Sequence, residues 1–326
     1  MAPSPINRSS AGIGFILVGM FSISLNDMMI KQLSGGYPLH QIVFVRSGIG
    51  ILFSLILVHF EGGWSILKTK QPFLHAVRGL LIVISNMSFF VALAAIPLAD
   101  ATALFFAAPL FITLFSIPIL GERVGPLRIS AVTIGFAGVI IMQRPWEDTE
   151  SLNASRVVLL LPVLAAVTYA LNQVLTRKLG VTTKASALAV YIQAMFVVVS
   201  SMFWLVAGDG HFAQGIDNPS VQFLLRAWIW PDNSDIWVML GLGFNSAIIG
   251  YCLSQAYRMA DAATVAPFEY IGLPLAVFWG WLFWADLPVW EVWVGMILIM
   301  ASGLFVFVRE QQKARRLANA VVNRRY

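Results

Sequence analysis

The chain has 326 residues, of which 59% are hydrophobic and 11% charged, and its mean hydropathy is +0.80. Soluble domains average roughly 45–50% apolar and about 25% charged residues, so this composition leaves too little polar surface for water-exposed domains. The net charge of +5 is scattered over connections rather than set in one stripe, which excludes a nucleic-acid surface, and the single cysteine, Cys252, excludes an intrachain disulfide.

A helix needs about 20 mostly apolar residues to cross roughly 30 Å of hydrocarbon. In chain order such segments run over 11–33, 39–59, 74–96, 99–119, 126–143, 156–178, 185–206, 235–258, 262–284 and 289–308, which predicts an all-α integral membrane protein of ten transmembrane helices. The first follows a start bearing only Arg8, holds Asn26 and Asp27, and lacks a small-residue cleavage site. It reads as a retained span rather than a signal peptide. Connections are short and rich in Gly, Pro and charge, as in SGGYP (34–38) and GERVGP (121–126). The exception is 207–234, whose Trp228 and Trp230 fit either an interfacial segment or an ordinary loop.

With ten spans both termini share a side. Placing them in the cytoplasm leaves only Lys31, Arg46, Arg144, Arg156 and Arg226 of the 21 Lys and Arg on the other side, as the positive-inside rule requires. The basic tail 309–326 is then a topology anchor beside an anionic leaflet.

The chain also repeats itself. PLADATALFFAAPLFITLFSIPILGERVGP (97–126) and MADAATVAPFEYIGLPLAVFWGWLFWADLPVW (259–290) share an Ala-Asp start, a following Thr, a mid-span Pro and a terminal acid, Glu122 or Asp286. Five spans lie on each side of 144–155, and five is odd, so the second half enters the membrane from the opposite side. The reading is two inverted five-helix repeats, 11–143 and 156–308. In these repeats the LGER turn (120–123), the GFAGVII ending (135–141) and AYRMADAATVAP (256–267) resemble the ten-helix EamA-type branch of the drug/metabolite transporter superfamily. Within that branch, PFEYIGLPLAVFWGWLFWADLP (267–288) is similar to S-adenosylmethionine uptake transporters. The resemblance implies a multi-pass inner-membrane transporter of an amino acid or related metabolite. Ala285-Asp286 departs from the Gly-Glu usual at that position, so no role is assigned to it.

Ionisable side chains inside spans are costly and face the bundle interior or a water-filled cavity. Asp27 lies about 9 Å and Arg46 about 10 Å from the same surface on adjacent antiparallel helices, which suits a gate or structural ion pair. Lys31, one turn from Asp27, is a competing partner. Glu269 lies about 10 Å from the opposite surface, with Gly272, Ala276 and Gly280 on its face for close helix packing. It is the principal candidate for holding a proton or a cationic substrate group. Asn26, Asn86, Tyr169, Gln173, Asn245, Tyr270 and Trp279 are the further candidates for substrate binding. Each taken singly also reads as interhelical glue. Pro109 and Pro274, at matching places in the repeats, predict helix kinks.

Chemistry by an enzyme finds no support: HExxH, GxSxG and GxxxxGK[ST] are all missing from the sequence. His40, His59, His75 and His211 have no ligand spacing, so neither metal nor cofactor is expected. The expected partners are a small-molecule substrate and the lipid bilayer, with a homodimer allowed. Transport by alternating access is the leading expectation, proton-coupled or by exchange. An exporter of amino acids, toxic metabolites or drugs, or a channel-like pore, is the alternative.

Overall fold

The computed structural model describes residues 5–69, 71–121, 125–147, 155–179, 185–259 and 266–323. Glu122 and Arg123 of the GER turn, and the Ala-Asp pair at 260–261 that opens the second repeat motif, lie outside the described residues. The helices are α1 (Pro5–Leu33), α2 (Leu39–Glu61), α3 (Pro72–Leu93), α4 (Leu98–Phe105), α5 (Ala108–Leu120) and α6 (Pro126–Gln143). The second half contributes α7 (Arg156–Leu179), α8 (Ala185–Ala207), α9 (Pro219–Leu225), α10 (Asn233–Met259), α11 (Gly272–Trp284) and α12 (Trp290–Asn323). No strand occurs among the described residues.

Nine stretches of described chain are long and apolar enough to span a membrane, counting Leu98–Leu120 as one. The segment expected at 262–284 is represented by a shorter apolar stretch, Phe268–Trp284. Neither the fourth nor the ninth expected segment is one continuous α-helix. The fourth breaks at Phe106–Ala107 between α4 and α5, and the ninth begins as a 3-10 turn, Ala266–Ile271, before α11. Both breaks have the same cause available. Proline has no N–H to donate to the carbonyl four residues back and its ring crowds that carbonyl. Pro109 stands four residues after Phe105, the last residue of α4, and Pro274 four after Tyr270, inside the 3-10 turn.

The main helix contacts are α1 with α10, α3 with α7, α2 with α8, and α6 with α12. Secondary ones join α2 to α10, α3 to α8, α7 to α4 and α5, and α11 to α1 and α4. Where α6 crosses α12, glycine is required on both helices. A Cβ on Gly138 would meet the Gly295 carbonyl oxygen at 2.9 Å, and one on Gly295 would meet the Gly138 carbonyl at the same distance. Small residues at such crossings let backbones approach where lipid offers no hydrophobic drive. Outward-facing Leu52, Phe60, Leu205, Trp237 and Ile297 are exposed, which in a bilayer is contact with lipid.

The 207–234 segment is neither a plain loop nor a free interfacial helix. It folds back over the ends of α1, α2 and α3. Phe223 is fully buried, Gln41 donates to the Ile229 carbonyl at 2.7 Å, and Ser220 donates to the Val91 carbonyl at 2.9 Å. Tyr37 donates to Asp235 at 2.7 Å and accepts from the Asp232 amide at 3.0 Å. Trp228 stacks on His40, and the His40 Nδ1 lies 3.0 Å from the Leu224 carbonyl oxygen. Apart from the Tyr37–Asp235 bond, each of these bonds satisfies a backbone group that an unpaired helix end or loop would leave open.

Candidate functional site

Two polar clusters lie among the helices. The first belongs to α1 and α2. Arg46 is only 7% exposed and Asn26 4%. The Arg46 Nη1 donates to the Asn26 Oδ1 at 3.4 Å, and the Asn26 Nδ2 donates to the Asp27 Oδ1 at 3.1 Å. The amide thus joins the two charges that the sequence suggested would meet directly. The guanidinium carbon sits 5.6 Å from the Phe90 ring centre and 5.3 Å from that of Phe196. Each ring presents its negative face to the cation. The Arg46 Nε is buried without a hydrogen-bond partner.

Around this cluster, the Asn245 amide donates to the Ser22 carbonyl at 2.7 Å, and the Trp279 indole donates to Ser24 at 3.1 Å. Both α10 and α11 are thereby tied to the turn of α1 below Asn26. Asn86 donates to the Ile82 carbonyl in its own helix at 3.1 Å, one turn before Phe90. Lys31 does not serve Asp27. Its ammonium donates to the carbonyls of Leu93 and Ile96 at 2.9 and 2.6 Å, and lies over Trp284. It caps the end of α3 as a cation should, within charge interaction of Asp100 and Asp286.

The second cluster gathers at the two helix breaks. Glu269, on the 3-10 turn, is partly buried and interacts electrostatically with the hydroxyls of Tyr169 and Tyr270. Gln173 donates to the Tyr169 hydroxyl at 2.7 Å. Phe105 packs on Tyr169 at 5.5 Å and Phe106 on Tyr270 at 5.3 Å between ring centres. Phe89, next to Phe90, packs on Phe105 at 5.5 Å. Adjacent residues of α3 therefore wall both clusters. Among the described residues no group of His, Cys, Asp and Glu could hold a metal ion.

The expected site residues thus divide into two sets. Asn26, Asp27, Arg46, Asn245 and Trp279 belong to or adjoin the first, Tyr169, Gln173, Glu269 and Tyr270 form the second, and Asn86 bonds back to its own helix. Sequence reasoning missed the aromatic clamp of Phe90 and Phe196, because nothing local marks a phenylalanine as facing a cation. It also missed the association of Lys31, Asp100, Asp286 and Arg144, which come from four separate elements. One signal was present and unread. Leu25-Asn26-Asp27 returns as Leu171-Asn172-Gln173, and Val43-Phe44-Val45-Arg46 as Val190-Tyr191-Ile192-Gln193.

Membrane-length helices enclosing polar clusters define a multi-pass membrane protein. The EamA-like transporter family model matches residues 10–144. A riboflavin transporter of Rhizobium johnstonii is 30% identical over 96% of both chains. An S-adenosylmethionine uptake transporter of Rickettsia felis is 26% identical over 94% of this chain and 95% of its own. The pseudopaline exporter of Pseudomonas aeruginosa is 27% identical over 90% and 94%. A crystal structure 18% identical covers 92% of this chain and 96% of its own with a TM-score of 0.59, which supports the fold alone. The chain belongs to the EamA-like transporter family, within the drug/metabolite transporter superfamily, and its relatives are transporters rather than enzymes.

Proposed function

We propose that the chain is an inner-membrane secondary transporter that moves a small polar metabolite by alternating access. Two inverted five-helix halves, 11–143 and 156–308, rock about a central site, with both termini in the cytoplasm. The helix contacts support the symmetry. Exchanging the halves pairs α1 with α7, α2 with α8, α3 with α10, α6 with α12, and α4–α5 with the 266–284 segment. Under that exchange the α1–α10 contact becomes α7–α3, α2–α10 becomes α8–α3, and α11–α1 becomes α7 with α4 and α5. The pairs α2–α8, α6–α12 and α4–α11 map onto themselves.

The observation that carries the functional reading is the place of Glu269, on the 3-10 turn of one interrupted span next to Tyr270, where Phe105 and Phe106 at the break of the other span pack on Tyr169 and Tyr270. Interrupted helices at matched positions mark transporter sites, and a carboxylate inside a span is costly enough to point to function. Glu269 is the principal polar contact, for a proton or for a cationic group of the substrate. The substrate is an amino acid or amino-acid derivative, cationic or zwitterionic, of which S-adenosylmethionine is one case. The named relatives include both uptake and export proteins, so direction is left open to experiment.

The test is uptake into proteoliposomes of the purified chain, with S-adenosylmethionine and a panel of amino acids, and with counterflow. Saturable, exchange-stimulated uptake supports the reading, and flux that never saturates favours a pore. Glu269→Gln is expected to lower uptake tenfold or more, since a charge-assisted hydrogen bond is worth about 1.5–3 kcal/mol. Unaltered uptake and pH dependence in that variant would remove Glu269 from the mechanism.

A further inference from the structure

We infer that Asp27, Asn26 and Arg46 form a subsite for the ammonium and carboxylate of a zwitterionic amino-acid headgroup. The inference rests on the transport reading above and deepens it, because it assigns a substrate end that Glu269 does not contact.

Three observations carry it. The first is the incomplete bonding of Arg46. A guanidinium has five donors in a rigid fork, yet among the described residues Arg46 makes a single long bond of 3.4 Å to Asn26, and its Nε is buried without a partner. A charge pair kept only to tie helices together gains most from direct, bidentate contact. Here the Asn26 amide bonds to both charges instead.

The second is the clamp. The guanidinium lies over the rings of Phe90 and Phe196, contacts that hold the charge without using its N–H donors. Its fork matches the two oxygens of a carboxylate. A zwitterion placed with its carboxylate on Arg46 and its ammonium on Asp27 would satisfy both charges inside a low-dielectric span. The remainder of the substrate then faces Phe89 and Phe105, which lead to Tyr169 and Glu269.

The third is internal to the sequence. At the repeat-related positions, Asp27 corresponds to Gln173 and Arg46 to Gln193. Both members are neutral amides in the second half, on helices α7 and α8 that occupy the places of α1 and α2. The helices therefore do not need a charge at either position to pack. The two charges occur together in one half, as a pair serving one ligand would.

The experiment is ligand binding to the full chain in lipid nanodiscs, read by thermal shift and titration. The probes are L-methionine and L-tryptophan, their methyl esters, which lack the carboxylate, their N-acetyl derivatives, which lack the ammonium, and riboflavin. The free amino acids are expected to bind at least about tenfold more tightly than either derivative, a difference of about 1.4 kcal/mol. Arg46→Gln should abolish the preference over the methyl ester, and Asp27→Asn the preference over the N-acetyl form. Should Arg46→Gln fail to fold, Arg46→Lys keeps the charge and loses the fork, and should weaken the same preference. The inference is overturned if the derivatives bind as well as the parent amino acids, if no amino-acid probe binds, or if riboflavin alone binds. It is likewise overturned if both variants keep wild-type discrimination while merely melting earlier. Glu269→Gln separates the two readings: headgroup discrimination that survives in this variant with normal uptake refutes the Glu269 role and leaves the subsite standing.

Discussion

Gly303 gives the sharpest test of how the Glu269 cluster is held. It lies buried in α12, where a Cβ built on it would overlap the Tyr270 hydroxyl oxygen and stand 3.0 Å from Cζ of the same ring. Alanine there cannot be absorbed by a flexible chain end. The ring must turn or the helix must back away, and Phe106 packs on the same ring at 5.3 Å between centres. Overpacking of this kind costs about 1–3 kcal/mol. At about 2–4 °C per kcal/mol for a domain of some 150–250 residues, Gly303→Ala should lower the apparent melting temperature by roughly 2–12 °C. It should also reduce uptake, because the displaced ring is the neighbour of Glu269. Tyr270→Phe removes the overlapping oxygen and leaves only the close ring edge. In the double variant most of the loss should therefore return, a non-additivity that a mutant cycle in detergent or nanodiscs measures directly. If Gly303→Ala melts like the wild type, or if the double variant shows simple additivity, Tyr270 does not sit where this packing requires.

Two further perturbations address the frame. Gly138→Ala or Gly295→Ala places a Cβ 2.9 Å from a backbone carbonyl of the facing helix, so α6 and α12 should separate at a cost of about 1–3 kcal/mol, read as a lower melting temperature. At the folded 208–232 segment, burial, reinforced by the Asp235 carboxylate that accepts its proton, pushes the Tyr37 phenol above its ordinary value. The folded state thus holds the proton more tightly than the unfolded chain does. Its contribution is complete below the ordinary phenol pKa of about 10 and declines as pH rises beyond it. Wild-type melting should fall more steeply above about pH 10 than that of Tyr37→Phe, and equal slopes would refute the coupling.

Composition and apolar run length carried most of the helical architecture, since a bilayer tolerates few alternatives. Counting residues from the span ends was also enough to bring Asp27 and Arg46 near each other, because an α-helix rises by a fixed amount per residue. What counting could not supply was side-chain direction. Lys31 is one turn from Asp27 in sequence yet reaches across to the carbonyl of Leu93, the last residue of α3, and to that of Ile96 just beyond it. Asp286, left without a role, lies within charge interaction of Lys31 and Asp100. The 207–234 connection looked like surface because its polar residues are numerous, whereas Ser220 spends its hydroxyl on the Val91 carbonyl, and the backbone at Ile229 and Asp232 is bonded by Gln41 and Tyr37 from outside the segment. The broken spans were signalled by Pro109 and Pro274, but the 3-10 form of the second break has no separate mark in the sequence.

The repeat correspondence leads to a final test. Aligning Pro109 with Pro274 sets Glu269 opposite Leu104, just as Asp27 is set opposite Gln173 and Arg46 opposite Gln193. Each intramembrane charge of the two clusters thus has an uncharged counterpart in the other half. Leu104 is 1% exposed in the core, so the first half packs that position as an ordinary apolar contact. The triple variant Asp27→Gln, Arg46→Gln, Glu269→Leu gives every one of these positions the residue its counterpart already has. Replacing buried charges by groups that fit is often neutral or stabilising by about 1–4 kcal/mol, whereas removing one partner alone is costly. The triple variant should therefore insert and melt at or above the wild-type temperature, while losing uptake and amino-acid binding. Arg46→Gln alone should melt below both, with Asp27 left without its cation. A triple variant that fails to fold would show that these charges hold the bundle together and would remove the main argument for their serving a substrate.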